Sequence, residues 1–351
     1  MNFHSKQLWI LLAFVVILKG GLCAQALSAE EKKIIDNVDK NSSRAVEILK
    51  TAVDTSSPTE DLAGVKKVGV IFLKEFESLG MKARWIEMPS EMKRAGHLVA
   101  ETTGTKGKRI LILGHLDTVL KGEPFRLDGA RTYGTGIGDM KGGDVIILEA
   151  IRAIHQAGFL KDTRIVIMLT GDEENSGDPV SISRGDMVAA AKRSDLALSF
   201  EGAVRNTATV GRRGSSSWTL EIEAKTGHSS QIFRESMGNG AIYEAARILN
   251  EFREKLAGEK YLTFNPALIV GGTTAETKDA AGSASGKTNV VPARVIVDGD
   301  LRFISEVQKE NTRAKMWEIV AKSLPGTKSK ITFEDGIPAM TPVPANYELL
   351  K

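Results

Sequence analysis

The chain has 351 residues, more than the roughly 250 to 300 at which a single hydrophobic core stops growing, so two domains are expected. Hydrophobic residues make up 42% and charged residues 26%, and the 34 glycines form no periodic tract, which excludes a disordered or collagen-like chain. With 47 basic and 44 acidic residues the formal charge is +3, and nothing in that balance points to a nucleic-acid groove or an anionic membrane surface.

Residues 1–26 read as a secretory signal peptide: Lys6 precedes the uncharged apolar run Leu8 to Leu18, and a small-residue stretch ends at Ala24-Gln25-Ala26. An apolar run of eleven residues is well short of the roughly 20 that span a bilayer as a helix. Cleavage after Ala26 is expected, giving a secreted or periplasmic protein with no membrane attachment. Lys6 and Lys19 leave with the signal and no acid does, so 45 basic residues face 44 acidic ones and the charge falls to +1. Cys23, the only cysteine, leaves too. Any metal in the mature chain must then be held by imidazole and carboxylate.

The spacing of Ile34, Ile35, Val38, Ala45, Val46 and Leu49 predicts a helix over Ala29 to Thr51, closed by Ser56-Ser57-Pro58. A second helix is predicted over Asp61 to Leu79, with Gly80 ending it. Short β-prone segments follow at Ala83 to Glu87, His97 to Thr102, Arg109 to Leu113, Arg164 to Leu169 and Asp195 to Phe200, alternating with helical stretches such as Gly143 to Ala157. That alternation predicts an α/β domain with a central, mostly parallel sheet and helices on both faces. Beyond Val210 the pattern becomes strand (Ser217 to Ala224), helix (Gly240 to Leu256), strands (Leu262 to Val270 and Asn289 to Ile304), helix (Val307 to Leu324) and strand (Lys330 to Glu334). This split β-α-β-β-α-β order predicts a small inserted α+β domain with a hinge at Gly211 to Gly214. Gly271 to Lys287, rich in Gly, Ala, Thr and Ser, is expected to be a mobile loop.

Three clusters end predicted strands with acidic or imidazole groups, where ligands gather on an open α/β sheet. In Gly114-His115-Leu116-Asp117-Thr118, His115 can bind a metal through one ring nitrogen while Asp117 accepts from the other; alone, the pair reads equally well as a strand-end histidine and a turn acid. Gly134-Thr135-Gly136-Ile137-Gly138-Asp139-Met140-Lys141-Gly142-Gly143 resembles a dinucleotide loop only superficially. No strand immediately precedes it, and Asp139 inside it would repel a pyrophosphate. A loop that lends an acid to a cation fits better. Asp172-Glu173-Glu174 follows an apolar strand, and three adjacent carboxylates at a buried strand end need a positive partner; as a solvated turn they would not. Ser199-Phe200-Glu201-Gly202 repeats the theme with one carboxylate.

Taken together, these four elements resemble the zinc-dependent aminoacylase and carboxypeptidase superfamily, the M20 peptidases, which includes glutamate carboxypeptidase, acetylornithine deacetylase and succinyl-diaminopimelate desuccinylase. The resemblance runs from about Lys32 to Lys351, with the motifs in the family's order. It implies a zinc-exopeptidase-like catalytic domain over residues 27–210, a ferredoxin-like lid and dimerisation domain over 211–327, and a return to the catalytic domain over 328–351. It further implies two zinc ions per subunit, one bound by His115 and Glu201, the other by Glu174, with Asp139 bridging. Glu173 is then the general base, Asp117 orients His115, and the Asp139-Met140 bond is a candidate for the cis form. In the lid, Gly227-His228-Ser229-Ser230 implies that His228 reaches a partner's active site to stabilise an oxyanion, within a homodimer formed through this domain. Many relatives have Ala-Gly where Ser229-Ser230 stand. Arg302, helped by Asn289, is the candidate for pairing with a substrate carboxylate.

The expected activity is that of a secreted two-zinc carboxypeptidase-type enzyme hydrolysing a peptide or N-acyl amino acid. The alternatives are an N-acyl amino acid deacylase and a non-catalytic peptide-binding relative. The family's last zinc ligand, a histidine some seventy residues beyond the equivalent of Gly336-Ile337-Pro338, has no counterpart before Lys351, so the second zinc site and the C-terminal part of the catalytic domain are expected to be incomplete.

Overall fold

The structure is a computed structural model and describes residues 27–129, 131–202 and 204–350. The signal peptide expected over residues 1–26 lies outside the described residues. The chain divides into two compact units between Val204 and Arg205.

The first unit opens with helix α1 (Ala29–Asp54), started by a capping box in which Ser28 Oγ accepts from Glu31 N–H and the Glu31 carboxylate accepts from Ser28 N–H. Helix α2 (Leu62–Ser78) is capped by Asp61 and buries Val65, Val68, Phe72 and Phe76 along one stripe. Strands β1 (Lys82–Ile86), β2 (His97–Glu101) and β3 (Arg109–His115) follow, then the small ribbon β4 (Arg126–Asp128) and β5 (Arg131–Tyr133). After helix α3 (Gly142–Ala157) come strand β6 (Arg164–Thr170), the short helices α4 (Val180–Ser183) and α5 (Gly185–Lys192), and strand β7 (Leu196–Ser199).

The five-stranded sheet has the order β1-β2-β6-β3-β7. It is mixed rather than mostly parallel: β6-β3 and β3-β7 are parallel, whereas β1-β2 and β2-β6 are antiparallel. The reason lies in the connections. Helix α3 carries the chain from β3 to β6, and α4 with α5 from β6 to β7, as parallel pairs require, while β1 and β2 are joined without a crossover helix. Both faces are covered, so β6 is apolar without alternation. Ile165, Ile167 and Leu169 pack with Phe72, Phe76, Leu148 and Ile151 on one side, and Val166 and Met168 pack with Val99, Leu111 and Ala190 on the other.

The second unit contains β8 (Gly214–Ala224), α6 (Ala241–Leu256), β9 (Thr263–Gly272), the hairpin β10 (Thr274–Lys278) and β11 (Ala281–Ser285), β12 (Arg294–Phe303), α7 (Glu306–Val320), β13 (Thr327–Asp335) and α8 (Pro344–Glu348). Its antiparallel sheet runs β13-β8-β12-β9, as the β-α-β-β-α-β order predicts. Alternate residues Trp218, Leu220, Ile222, Val295, Val297 and Leu301 face α6 and α7, where Ile248, Phe252, Met316 and Ile319 close the core. Trp218 lies edge-on to Phe252 with centroids 6.0 Å apart. Gly299 makes room for it, since a Cβ there would lie 2.3 Å from the indole ring.

Two expectations are corrected in this unit. Residues 328–335 do not return to the first domain but form most of β13, pairing with β8 from Thr327–Ala224 to Asp335–Ser216; the expected division after residue 327 falls one residue inside this strand. The segment 271–287 is not an irregular loop. Small, threonine-rich residues pair Thr274 with Ser285 through Lys278 with Ala281, and Asp279 and Ala280 both take positive φ (48° and 62°), as a tight hairpin turn requires.

Candidate metal centre

The strands β6, β3 and β7 are adjacent and parallel, with His115 level with Thr170 and Leu113 level with Ser199. Three separate sequence motifs therefore emerge at one edge of the sheet: His115 at the end of β3, Glu173 and Glu174 after β6, and Glu201 after β7. Asp139 enters from the irregular turn Ile137–Lys141 that precedes α3, and its bond to Met140 is cis. Lys141, itself buried, fastens this turn by donating to the carbonyls of Ala52 (3.0 Å) and Thr55 (2.9 Å) at the end of α1.

Ligand atoms of His115, Asp139 and Glu201 lie within 4.8 Å of one another, and so do those of His115, Glu173 and Glu174. His115 is wholly buried and belongs to both groups, whereas Asp139 and Glu173 are exposed. His115 Nε2 is 3.0 Å from Asp139 Oδ1 and 3.8 Å from Glu201 Oε2. Its Nδ1 lies 3.0 Å from the Asp117 carbonyl and 3.4 Å from Asp117 Oδ1, so a proton on Nδ1 leaves Nε2 facing the acids. Asp117 is equally buried and also holds the facing loop: Oδ1 accepts from Glu173 N–H (3.0 Å), and Oδ2 accepts from Glu174 N–H (3.1 Å) and the Thr59 hydroxyl (2.7 Å). One carboxylate thus fixes both the imidazole and the Glu173-Glu174 backbone.

The electrostatics have one theme. Burial and the neighbouring charge of Asp139 raise Glu174 and Glu201 above the usual carboxylate range. Burial works to lower His115, but its bond to Asp117, that group's charge, and Asp139 and Glu201 push it up to about 10. Burial works to raise Asp117, yet His115, Thr59 and the Glu174 amide hold it low. Asp144, fully buried on α3, is raised well above its ordinary range by burial, and neither of its oxygens has a hydrogen-bond partner among the described residues. Gly114 admits it, since a Cβ there would lie 2.3 Å from Asp144 Oδ1. An excess of clustered carboxylates facing one imidazole nitrogen is a donor set that a divalent cation of the zinc type fits.

The residues expected in the second unit separate into two places. His228, an exposed residue, pairs with Val290 in an isolated bridge, and Ser229 N–H donates to the Asn289 carbonyl at 2.9 Å. His228 Nδ1 accepts from Ser230 N–H (3.3 Å) and lies 2.8 Å from Ser230 Oγ, which leaves Nε2 to carry the proton. Arg302 is not beside Asn289. It sits toward the far end of β12, eight residues beyond Arg294 and so roughly 26 Å away at strand rise, and it pairs with Asp300 at 2.8 Å. Asn289 precedes the Arg294 end of β12, so within one chain the two residues stand toward opposite ends of that strand. The sequence reading missed Thr59, Asp144 and Lys141. Lys141 lay inside a quoted motif, but its contacts are to positions nearly ninety residues away.

The first unit thus gathers one imidazole and four carboxylates, three of them from loops at its parallel strand ends and Asp139 from the turn before α3, and an α+β unit follows it in the chain. Sequence comparisons show which proteins the chain is similar to. Residues 210–328 match the M20 peptidase dimerisation domain, and residues 97–256 match peptidase family M28. The chain is 26% identical over 308 residues to carboxypeptidase G2 of Pseudomonas sp. (strain RS-16), covering 84% of this chain and 68% of that one. It is 29% identical over 244 residues to succinyl-diaminopimelate desuccinylase of Cupriavidus pinatubonensis, covering 63% and 59%. In fold it matches aminopeptidase PepT of Bacillus cereus with a TM-score of 0.64 at 18% identity, over 88% of this chain and 80% of that one. The chain thus spans about two thirds or less of the length of these curated relatives, and the resemblance to M20 peptidases carried by its motifs is upheld. Among the described residues no helix is long and apolar enough to cross a membrane.

Proposed function

We propose that the protein is an exported two-zinc exopeptidase of the carboxypeptidase type, cleaving the amide bond of a peptide or N-acyl amino acid. The observation that carries this reading is the convergence of His115, Glu173, Glu174 and Glu201 from adjacent strand ends with Asp139 from the turn before α3, with ligand atoms within 4.8 Å in two overlapping groups. His115, Asp139 and Glu201 would hold one ion, with Asp139 shared and Glu174 serving the other. Bound divalent ions supply Lewis acidity, which polarises the scissile carbonyl and acidifies water. The chain's own residues do the rest. Glu173, exposed at the rim, takes a proton from the attacking water and passes it to the departing amine. Asp117 holds His115 in its tautomer and keeps Glu173 and Glu174 in place through their amides.

The likeness to both a carboxypeptidase and a desuccinylase supports a substrate with an amide and a free carboxylate, and keeps N-acyl amino acid deacylation as the second reading. In a homodimer formed by the second unit, His228, with its Nε2–H free to donate, would serve as oxyanion donor to a partner subunit with Asn289 beside it, while Arg302 would recognise carboxylate separately. The export proposal rests on residues 1–26 of the sequence.

Glu173→Gln tests the base. It keeps the shape and the backbone bond to Asp117 but cannot take a proton, so turnover should fall by about 10²-fold or more with bound zinc unchanged. A variant with the turnover of the wild type would overturn the assignment.

A further inference from the structure

Beside the Glu173-Glu174 pair lies a partly buried cation that the reaction does not use, paired with a wholly buried acid. Arg184 is the residue that links α4 to α5. Its Nη1 donates to Asp172 Oδ1 at 2.6 Å, and its Nη2 donates to the Asp172 carbonyl at 2.9 Å and to Ser176 Oγ at 2.8 Å. One guanidinium thus grips the chain immediately before Glu173 and again two residues after Glu174. Asp172 itself is wholly buried and saturated: the hydroxyls of Thr170 (2.9 Å) and Ser183 (2.6 Å) and the amide of Gly177 (2.9 Å) complete its bonds. Below them, His97, also fully buried, lies 3.0 Å from the Ser183 carbonyl through Nε2 and accepts from Gly171 N–H through Nδ1 at 3.4 Å. The loop 171–177 is therefore closed on itself from behind and held from the front by Asp117.

We propose that Arg184 is a positioning residue for the metal centre: by bracketing Asp172 and Ser176 it sets where the Glu173 and Glu174 carboxylates stand relative to His115. The proposal rests on the metal-centre reading given above. The physical case is one of geometry. Glu173 is exposed and Glu174 only partly buried, so the surroundings of their side chains do little to fix them, and their placement comes from the backbone. That backbone is held by the Asp117 carboxylate at the two amides and by the Arg184 bracket at the two flanks, with Arg94 Nε donating to the Asn175 carbonyl (2.6 Å) and the Asn175 side-chain amide to Glu60 (2.9 Å) just beyond; of these, Arg184 is the one that grips both sides of the pair. A planar five-donor group suits the second task, since one side chain reaches a carboxylate, a carbonyl and a hydroxyl together, whereas a lysine in its place presents a single point charge. Interactions of this outer kind typically alter metal affinity or activity by about 10- to 100-fold when removed.

The test titrates the full-length, chelator-treated protein with cobalt(II), followed by its visible absorption, and measures kcat and KM on the zinc-loaded protein. The wild type should bind cobalt(II). Arg184→Met, checked for a native circular-dichroism spectrum and a cooperative melt, should bind it about 10- to 100-fold more weakly and lose kcat by a similar factor with KM within about threefold. Arg184→Lys should recover part of both. A folded Arg184→Met protein with the cobalt affinity, spectrum and kcat of the wild type would overturn the proposal and leave the metal-centre reading standing. A wild type that binds no cobalt(II) would remove that reading and the proposal with it. Should Arg184→Met not fold, Ser176→Ala decides in its place, because it severs one arm and leaves Asp172 paired: weaker cobalt binding supports the bracket, and unchanged binding overturns it.

Discussion

Asp144 has no exposed surface and no bonded donor among the described residues, and feels His115, Glu201, Lys141 and Asp117 only as unbonded charges. A carboxyl whose pKa is raised by folding keeps its proton in the native state at a pH where the unfolded chain has lost it. Stability is therefore forfeited as pH climbs above the ordinary value of about 4. Asp144→Asn should raise the urea midpoint at pH 7, by the equivalent of about 1 to 3 kcal/mol, and change it little at pH 4. Equal midpoints at both values would show that the carboxyl is accommodated in some other way. His115 works in the opposite direction. Its folded pKa of about 10 lies above the ordinary value near 6.5, so in metal-free protein its contribution is complete below about pH 6.5 and is lost as pH rises toward 10. Melting temperatures of chelated protein should fall across that window, and the fall should be shallower in His115→Gln. The motif residues could be read from sequence because each ends an apolar strand. Thr59 and Arg184 could not, because their meaning is contact with Asp117, 58 positions away, and with a carboxylate hidden inside a run of three acids.

Among the elements, periodicity located the long helices and the strands of the two main sheets, since one stripe or one face of each is buried, and it missed the short pieces β4, β5, β10, β11, α4 and α5. It said less about pairing direction. The antiparallel β1-β2-β6 part depends on a connection without a helix, and β10 and β11 pair through residues too small and polar to show an alternating pattern. The β-α-β-β-α-β order does bring β13 to β8, but a nine-residue strand with a single buried apolar side chain, Ile331, does not mark where that unit ends. Gly299 shows how tightly the second sheet meets its helices: at the irregularity of β12 it gives Trp218 its place over Phe252. Gly299→Ala would put a methyl group 2.3 Å from the indole and 2.4 Å from the Asn265 carbonyl. A loss of about 1 to 3 kcal/mol is expected from such overpacking, read as a lower urea midpoint with an unchanged slope. An unaltered midpoint would mean that the indole shifts freely.

For the whole molecule, the two units have separate cores, and the chemistry proposed here places its reacting groups in the first while the recognition groups of the second divide between two ends of β12. The motifs identify the first arrangement well, because loops at parallel strand ends must converge, whereas the separation of Arg302 from Asn289 needs the register of a strand to be seen. The central claim is that amide hydrolysis depends on divalent metal held by His115, Asp139, Glu174 and Glu201. It is tested most directly by assaying full-length protein on a panel of dipeptides and N-acyl amino acids before chelator dialysis, after it, and after zinc is returned. Release of the C-terminal residue should be abolished by the chelator and restored by zinc; turnover that persists undiminished in metal-free protein would contradict the account.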